Sequence, residues 1–232
     1  MIAFHTVSYS TPDSGKQILN SISFEIGKGE FAVISGVTGS GKTTILQLLT
    51  AEIRSTSGEI IVGSTELHSL KRNHIPKYRR KIGCVFQNIA LLQEKTAGEN
   101  IAFALEIQGR DSRDEIAKKV EAKLREVGLL EKANIYPRML SHGEQQRISI
   151  ARALVTEPLV LIADDIAAQL DDASAEEIFS ILRNEHIRGM TILITASNDR
   201  FFHLVPRSAM YYQLASGKVD EFLPVSRRSV PA

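Results

Sequence analysis

Apolar positions recur with a strand-like period through the first part of the chain, in three segments: Ile2 to Tyr9, Ile18 to Ile26 and Phe31 to Ser35. The breakers Pro12-Asp13-Ser14-Gly15 and Gly27-Lys28-Gly29 separate them, so three short strands are expected. The period then changes. Thr44-Ile45-Leu46-Gln47-Leu48-Leu49 is apolar at helical spacing. After a Ser57-Gly58 turn, Glu59 to Val62 and then Ile82 to Phe86 read as strands, the second ending at Gln87.

The middle of the chain is helical in pattern. Ser112 and Glu115 form a capping box ahead of an apolar face of Ile116, Val120, Leu124 and Val127, with Gly128 as the stop. A second box, Ser141 to Glu144, opens a helix through Ile148, Ile150, Ala151 and Leu154. Pro158 to Ala163 is a continuous apolar run, as in a strand buried on both faces. A helix from Asp171 to Leu182, a strand from Met190 to Ala196 and a hairpin around Ser216-Gly217 follow. This alternation predicts one α/β domain. Its core takes residues 1–87 and 154–222, a helical block of residues 88–153 is inserted, and residues 223–232 form a polar, frayed tail.

The strand-to-helix junction carries Gly36-Val37-Thr38-Gly39-Ser40-Gly41-Lys42-Thr43-Thr44, which fits the phosphate-loop pattern G-x-x-x-x-G-K-S/T in the context that pattern needs. Strand, glycine turn and helix start aim unpaired N–H groups and the positive helix end at an anion. Lys42 is expected at the outer phosphates of a nucleoside triphosphate and the Thr43 hydroxyl at Mg²⁺. The bland alternative, a glycine turn that happens to hold a lysine, leaves the flanking strand and helix unexplained. Asp164 follows the buried run Leu159 to Ala163 directly, where a carboxylate completes a Mg²⁺–triphosphate site; the competing role is a simple helix cap.

Charge and composition narrow the function further. A net charge of +1 gives no electrostatic footprint for nucleic acid. The one basic cluster, Lys77 to Lys81, reads as a solvated face, with contact to lipid headgroups or an acidic partner as the other option. The single Cys84 excludes an internal disulfide, and its apolar setting predicts a buried, inert thiol. The N-terminal residues lack a basic n-region and a long apolar stretch, so no signal peptide is expected. No apolar run is long enough to span a bilayer, so a membrane role would come through a partner.

With these elements placed, Leu140-Ser141-His142-Gly143-Glu144-Gln145-Gln146-Arg147 resembles the signature sequence of ABC-transporter ATPases. Gln87 resembles the Q-loop glutamine of that family, and Gln169-Leu170-Asp171-Asp172 its D-loop. Within the family the chain is most similar to the FtsE-type cell-division ATPases, through Leu70 to Gly83, Phe86-Gln87, Leu91-Leu92, Thr96, Glu99-Asn100 and Ile101. Lipoprotein-releasing and MacB-like efflux ATPases share much of this. The resemblance implies an ABC ATPase fold: a phosphate-loop NTPase core with an antiparallel β-subdomain and an inserted α-helical signature subdomain. It implies ATP and Mg²⁺ as cofactors, with Mg²⁺ held by Thr43, Gln87 and Asp164. It also implies a homodimer in the ATP-bound state, in which Ser141, His142, Gly143 and Glu144 meet the ATP of the partner subunit. The remaining implied partner is an FtsX-like integral membrane subunit, which would hold the chain at the cytoplasmic face of the membrane. Ser141 is in any case a helix cap. The segment Asn88 to Leu92 is either internal packing or part of the docking surface for that partner.

Three positions depart from the family pattern near the expected γ-phosphate. Asp165 stands where the family has its catalytic glutamate, Asn198 where it has the switch histidine, and His142 where it has the first signature glycine. Asp retracts the carboxylate by one C–C bond, ~1.5 Å, and Asn donates a hydrogen bond but cannot become cationic. The adenine contact falls on Thr11 by alignment, or on Tyr9, which serves equally as a packed strand residue. Intact binding residues beside altered hydrolytic ones predict a slow ATPase in which Gln87, Asp165 and Asn198 are the catalytic set. The competing functions are a lipoprotein-release or efflux ATPase and a non-hydrolysing, ATP-gated scaffold. A small-molecule kinase would leave Gln87 and the signature helix without a purpose.

Overall fold

The structure, a computed structural model, describes residues 1–222; the tail expected at 223–232 lies outside the described residues. In chain order the elements are β1 (Ile2–Ser10), β2 (Gln17–Ile26), β3 (Phe31–Ser35), α1 (Lys42–Leu49), β4 (Ser57–Val62), β5 (Thr65–Glu66), α2 (Ile75–Arg79) and β6 (Ile82–Val85). Then come α3 (Ala97–Gln108), α4 (Arg113–Glu126), α5 (His142–Leu154), β7 (Val160–Ala163), α6 (Asp172–Ile187), β8 (Thr191–Ala196), β9 (Met210–Ala215) and β10 (Lys218–Glu221). Each expected strand and helix is present. The helical block also contains α3, which the sequence pattern did not single out, capped by a Thr96–Glu99 box.

The strands divide between two sheets. β2, β1, β4 and β5 form an antiparallel sheet in that order, and β10, β9, β3, β8, β7 and β6 form a second. In the second sheet β9, β3, β8, β7 and β6 are parallel, with β10 antiparallel at one edge. β7 sits between β6 and β8, and its four residues Val160 to Ala163 are all buried, which is why that segment is apolar without alternation. Phe4, Leu19, Ile22 and Ile26 of the antiparallel sheet share one core with Ile45 and Leu49 of α1. A second core forms where α6, through Ile178, Phe179 and Leu182, covers the other face of the parallel sheet.

Register fixes where chemistry collects. Ser35 pairs with Ala196 and Ala163 with Ile194, so β3, β7 and β8 end along one edge. The phosphate loop, Asp164-Asp165 and Ser197-Asn198 all leave that edge, the carboxyl edge at which open α/β sheets bind ligands.

The helical block has its own core of Leu91, Ile101, Leu105, Leu124 and Ile148. Capping boxes start all three of its helices: Thr96–Glu99, Ser112–Glu115 and Ser141–Glu144. Asn100 is fully buried and ties down the approach to α3, donating to the carbonyls of Leu92, Lys95 and Thr96 and accepting from the Leu92 N–H. The basic residues of the Lys77 to Lys81 cluster are exposed, but the cluster also anchors the fold. Arg79 Nε donates to the Thr50 carbonyl at 2.8 Å and the Tyr78 hydroxyl to the Leu49 carbonyl at 2.5 Å, so both cap the C-terminal end of α1. Cys84 is half-buried rather than buried, and desolvation pushes its thiol up to about 12.

Candidate nucleotide site

The phosphate loop closes on itself through Lys42, which bonds back to the start of the loop. Gly41 precedes α1 with φ +109 and has no side chain to cap the helix, so no side chain competes with a ligand for the first N–H groups of α1. Gly36 answers to a different constraint: a Cβ there would stand 2.5 Å from the Leu214 carbonyl oxygen and 2.7 Å from the Ser40 hydroxyl. Lys42 Nζ turns inward, donating to the Gly36 carbonyl at 2.6 Å and the Val37 carbonyl at 3.1 Å. Burial pulls its ammonium below the ordinary lysine range, while the carboxylates of Asp165 and Asp164 push the other way. The Ser40 hydroxyl is buried without a partner.

Thr43, at the second position of α1, donates to Asp164 Oδ2 at 2.8 Å, and Thr195 on β8 donates to Asp164 Oδ1 at 2.6 Å. Thr195 in turn accepts the Asp165 N–H at 2.9 Å. Asp165 adopts φ +45, left-handed backbone that Asp visits more readily than most residues. Its carboxylate takes the Ser197 N–H on Oδ1 at 3.2 Å and the Ser197 hydroxyl on Oδ2.

A cavity of about 220 Å³ joins these groups, lined by Thr38, Gly39, Gly41, Lys42, Thr43, Thr44, Gln87, Asp164 and Asp165, with Ile18 and Ser197. The donor set fits a magnesium–triphosphate group. Thr43 and Asp164 offer adjoining hard oxygen donors, the kind Mg²⁺ takes. Lys42 and the uncapped α1 N-terminus offer donors and positive charge to phosphate.

The other expected site residues lie elsewhere. Asn198 lines a small neighbouring cavity with Asp165 and Phe202, and its Oδ1 accepts the Arg200 N–H at 3.1 Å. Ser141 and Glu144 cap α5 reciprocally, at 3.2 and 2.8 Å, and His142 is exposed. A Cβ on Gly143 would sit 2.7 Å from the Ser174 hydroxyl, so this glycine allows α5 to approach α6 behind the D-loop cap Asp171. None of these four lines the phosphate-loop cavity of its own chain. Tyr9 packs on the core of the antiparallel sheet, and the Thr11 hydroxyl pairs with that of Ser14 at 2.6 Å.

Residues 19–168 match the family model described as ABC transporter. The chain belongs to the ABC transporter ATP-binding family. It is FtsE-like: it is 42% identical over 205 residues to the cell division ATP-binding protein FtsE of Mycobacterium tuberculosis, covering 88% of this chain and 87% of that protein. Identity to Escherichia coli K12 FtsE is 40% over 199 residues, covering 86% and 88% of the two chains. The fold matches the ATP-binding cassette MJ0796, solved as a dimer in a post-hydrolysis state bound to ADP and Pi, with a TM-score of 0.85 at 30% identity over 96% of this chain and 98% of that one. The ABC ATPase architecture, with its antiparallel β-subdomain and helical subdomain, is therefore the fold of this chain.

Three residues at this ABC site escape a reading of motifs. Thr195 and Ser197 are brought to Asp164 and Asp165 only by the parallel pairing of β8 with β7, and Ile18 reaches the cavity from β2. One local signal existed for Thr195: it is a hydroxyl inside an otherwise apolar buried strand end, with 2% of its surface exposed.

Proposed function

We propose that this chain is the ATP-binding subunit of an FtsE-like complex, binding ATP with Mg²⁺, hydrolysing it slowly and driving a membrane partner in cell division and envelope remodelling. The observation that carries the reading is the single cavity shared by Lys42, Thr43, Gln87, Asp164 and Asp165. Lys42 and the α1 N-terminus bind the outer phosphates; Thr43, Gln87 and Asp164 hold the Mg²⁺, which when bound neutralises phosphate charge. Asp165 orients the attacking water from a carboxylate shorter than the family's glutamate, and Asn198 donates to phosphate in place of an imidazole. The adenine end is assigned to the β1–β2 hairpin, where Ile18 lines the cavity and Tyr9 pairs with its neighbour Leu19 across the strands, with Thr11 in the turn beyond.

The signature residues Ser141, His142, Gly143 and Glu144 do not line the phosphate-loop cavity of their own chain, which supports a role toward the ATP of a second copy. Among the described residues no helix is long and apolar enough to cross a membrane, so the membrane link runs through a partner. A groove of about 410 Å³ lined by Arg79, Cys84, Phe103, Ile107 and Arg152, with Ile107 51% exposed, is the surface we assign to that partner. Phosphate release by the purified chain, with Lys42→Ala as background, tests catalysis, and release no greater than background leaves an ATP-gated scaffold. Copurification with an FtsX-like four-span membrane protein tests the partner; recovery with a lipoprotein-release or efflux subunit instead would overturn the assignment.

A further inference from the structure

Hydrolysis through Asp165 requires its short carboxylate to be aimed, and the residue that aims it lies on another strand. We propose that Ser197 is the positioning residue of Asp165, a two-point clamp that sets the rotamer of the carboxylate beside the phosphate loop. The inference rests on the reading of Asp165 given above. Three observations carry it.

Both oxygens of Asp165 are held by the same residue, Oδ1 by the Ser197 N–H at 3.2 Å and Oδ2 by its hydroxyl. Two contacts to one planar group fix its two side-chain torsions, where a single contact would leave the group free to swing about it. The backbone of Asp165 is anchored too, by its N–H on the Thr195 hydroxyl at 2.9 Å, in left-handed conformation at φ +45. Finally, Ser197 lines the same cavity as Lys42, Thr43, Gln87 and Asp164, so the clamp acts at the wall of the site itself.

Each carboxylate oxygen carries two acceptor directions, so Ser197 occupies one on each and leaves one on each to receive a water. The clamp also matches the length of Asp. A glutamate at this position would carry its carboxylate ~1.5 Å further along the chain, away from both Ser197 donors. Dependence on Ser197 is therefore a property of Asp at position 165. The hydrogen bonds of Ser197 run to Asp165 and not to Lys42 or to Thr43, Gln87 and Asp164, so its loss is expected in turnover and not in binding.

The test compares the full-length chain with Ser197→Ala, Ser197→Thr, Asp165→Asn and the Asp165→Asn/Ser197→Ala pair, reading both phosphate release and the affinity of a fluorescent ATP analogue. Ser197→Ala is expected to lower kcat on the order of ten- to a hundredfold, the scale on which a misplaced catalytic group loses rate. KM and analogue affinity stay unchanged, and Ser197→Thr, which keeps the hydroxyl, restores turnover. In the Asp165→Asn background Ser197→Ala adds no further loss, as for two residues acting through one contact. Wild-type turnover in Ser197→Ala, a loss of equal size in both backgrounds, or a fall in affinity parallel to kcat would overturn the clamp. Full turnover in Asp165→Asn would instead overturn the reading of Asp165 beneath it, so the two failures are told apart.

Discussion

The Thr43 hydroxyl donates to the Asp164 carboxylate at 2.8 Å, joining residues 121 positions apart at the wall of the phosphate-loop cavity. One oxygen belongs to the start of α1 and the other to the end of β7, so any ligand between them bridges two segments of the core. The opposite side of the same carboxylate is held by Thr195 at 2.6 Å, which leaves Asp164 little freedom to rotate away.

Asp164→Asn keeps the shape of this contact and removes its charge. Nucleotide affinity in the variant is expected to lose its dependence on Mg²⁺, while affinity measured in excess chelator matches that of the unaltered chain. A fluorescent-nucleotide titration with and without Mg²⁺ reads both numbers.

Lys42 gives up part of its hydration to reach the carbonyls of Gly36 and Val37, and burial already pulls its ammonium down. Replacing it removes the only lysine among the described residues that line the cavity. Lys42→Ala is expected to weaken triphosphate binding at least tenfold, the effect of losing about 1.4 kcal/mol, which charge-assisted contacts to phosphate exceed. Isothermal titration with a non-hydrolysable ATP analogue checks it.

Thr195 serves both aspartates, donating to Asp164 and accepting from the Asp165 N–H, with 2% of its surface exposed. Thr195→Val conserves volume and strands two buried polar groups. A loss of about 1–3 kcal/mol of stability follows from an unsatisfied buried group, read as a lower midpoint in denaturant unfolding. Ser197→Ala at the nearby, less buried clamp is expected to cost less.

Acid should loosen the helical block. The Ser141 N–H beside Glu144 holds that carboxyl below the ordinary glutamate range, helped by Lys132 and Arg147, and the Thr96 and Ser112 N–H groups act alike on Glu99 and Glu115. The folded state therefore binds these protons less readily than the unfolded chain. The stabilisation is complete above the unfolded glutamate value of about 4.3 and is lost as pH falls through the lower folded values. Denaturant midpoints taken across this window should fall for the unaltered chain and fall less steeply for Glu144→Gln.

Much of this was legible in the sequence because the deciding signals are local. The glycines, Lys42 and Thr43 sit within nine consecutive residues, Asp164 follows an apolar run directly, and capping boxes mark the helices with their own side chains. What could not be read depends on register. Ser197 is one unremarkable serine until β8 pairs with β7 and brings it to Asp165, 32 positions earlier. The basic residues of the Lys77 to Lys81 cluster are exposed, as a solvated face requires, but nothing local shows that Arg79 and Tyr78 also cap α1, 28 to 29 positions away. Ile18 lines the cavity from β2, where its alternating neighbours mark it only as a strand residue.

In the proposed function this site keeps its grip on ATP while Asp165 and Asn198 slow the cleavage. Steady-state phosphate release by the unaltered chain and by Asp165→Glu/Asn198→His, each corrected with Lys42→Ala, tests it most directly. The account predicts higher turnover in the double variant, on the order of a hundredfold if the full displacement of the carboxylate is recovered, at unchanged ATP affinity. Equal or lower turnover in the double variant would contradict it.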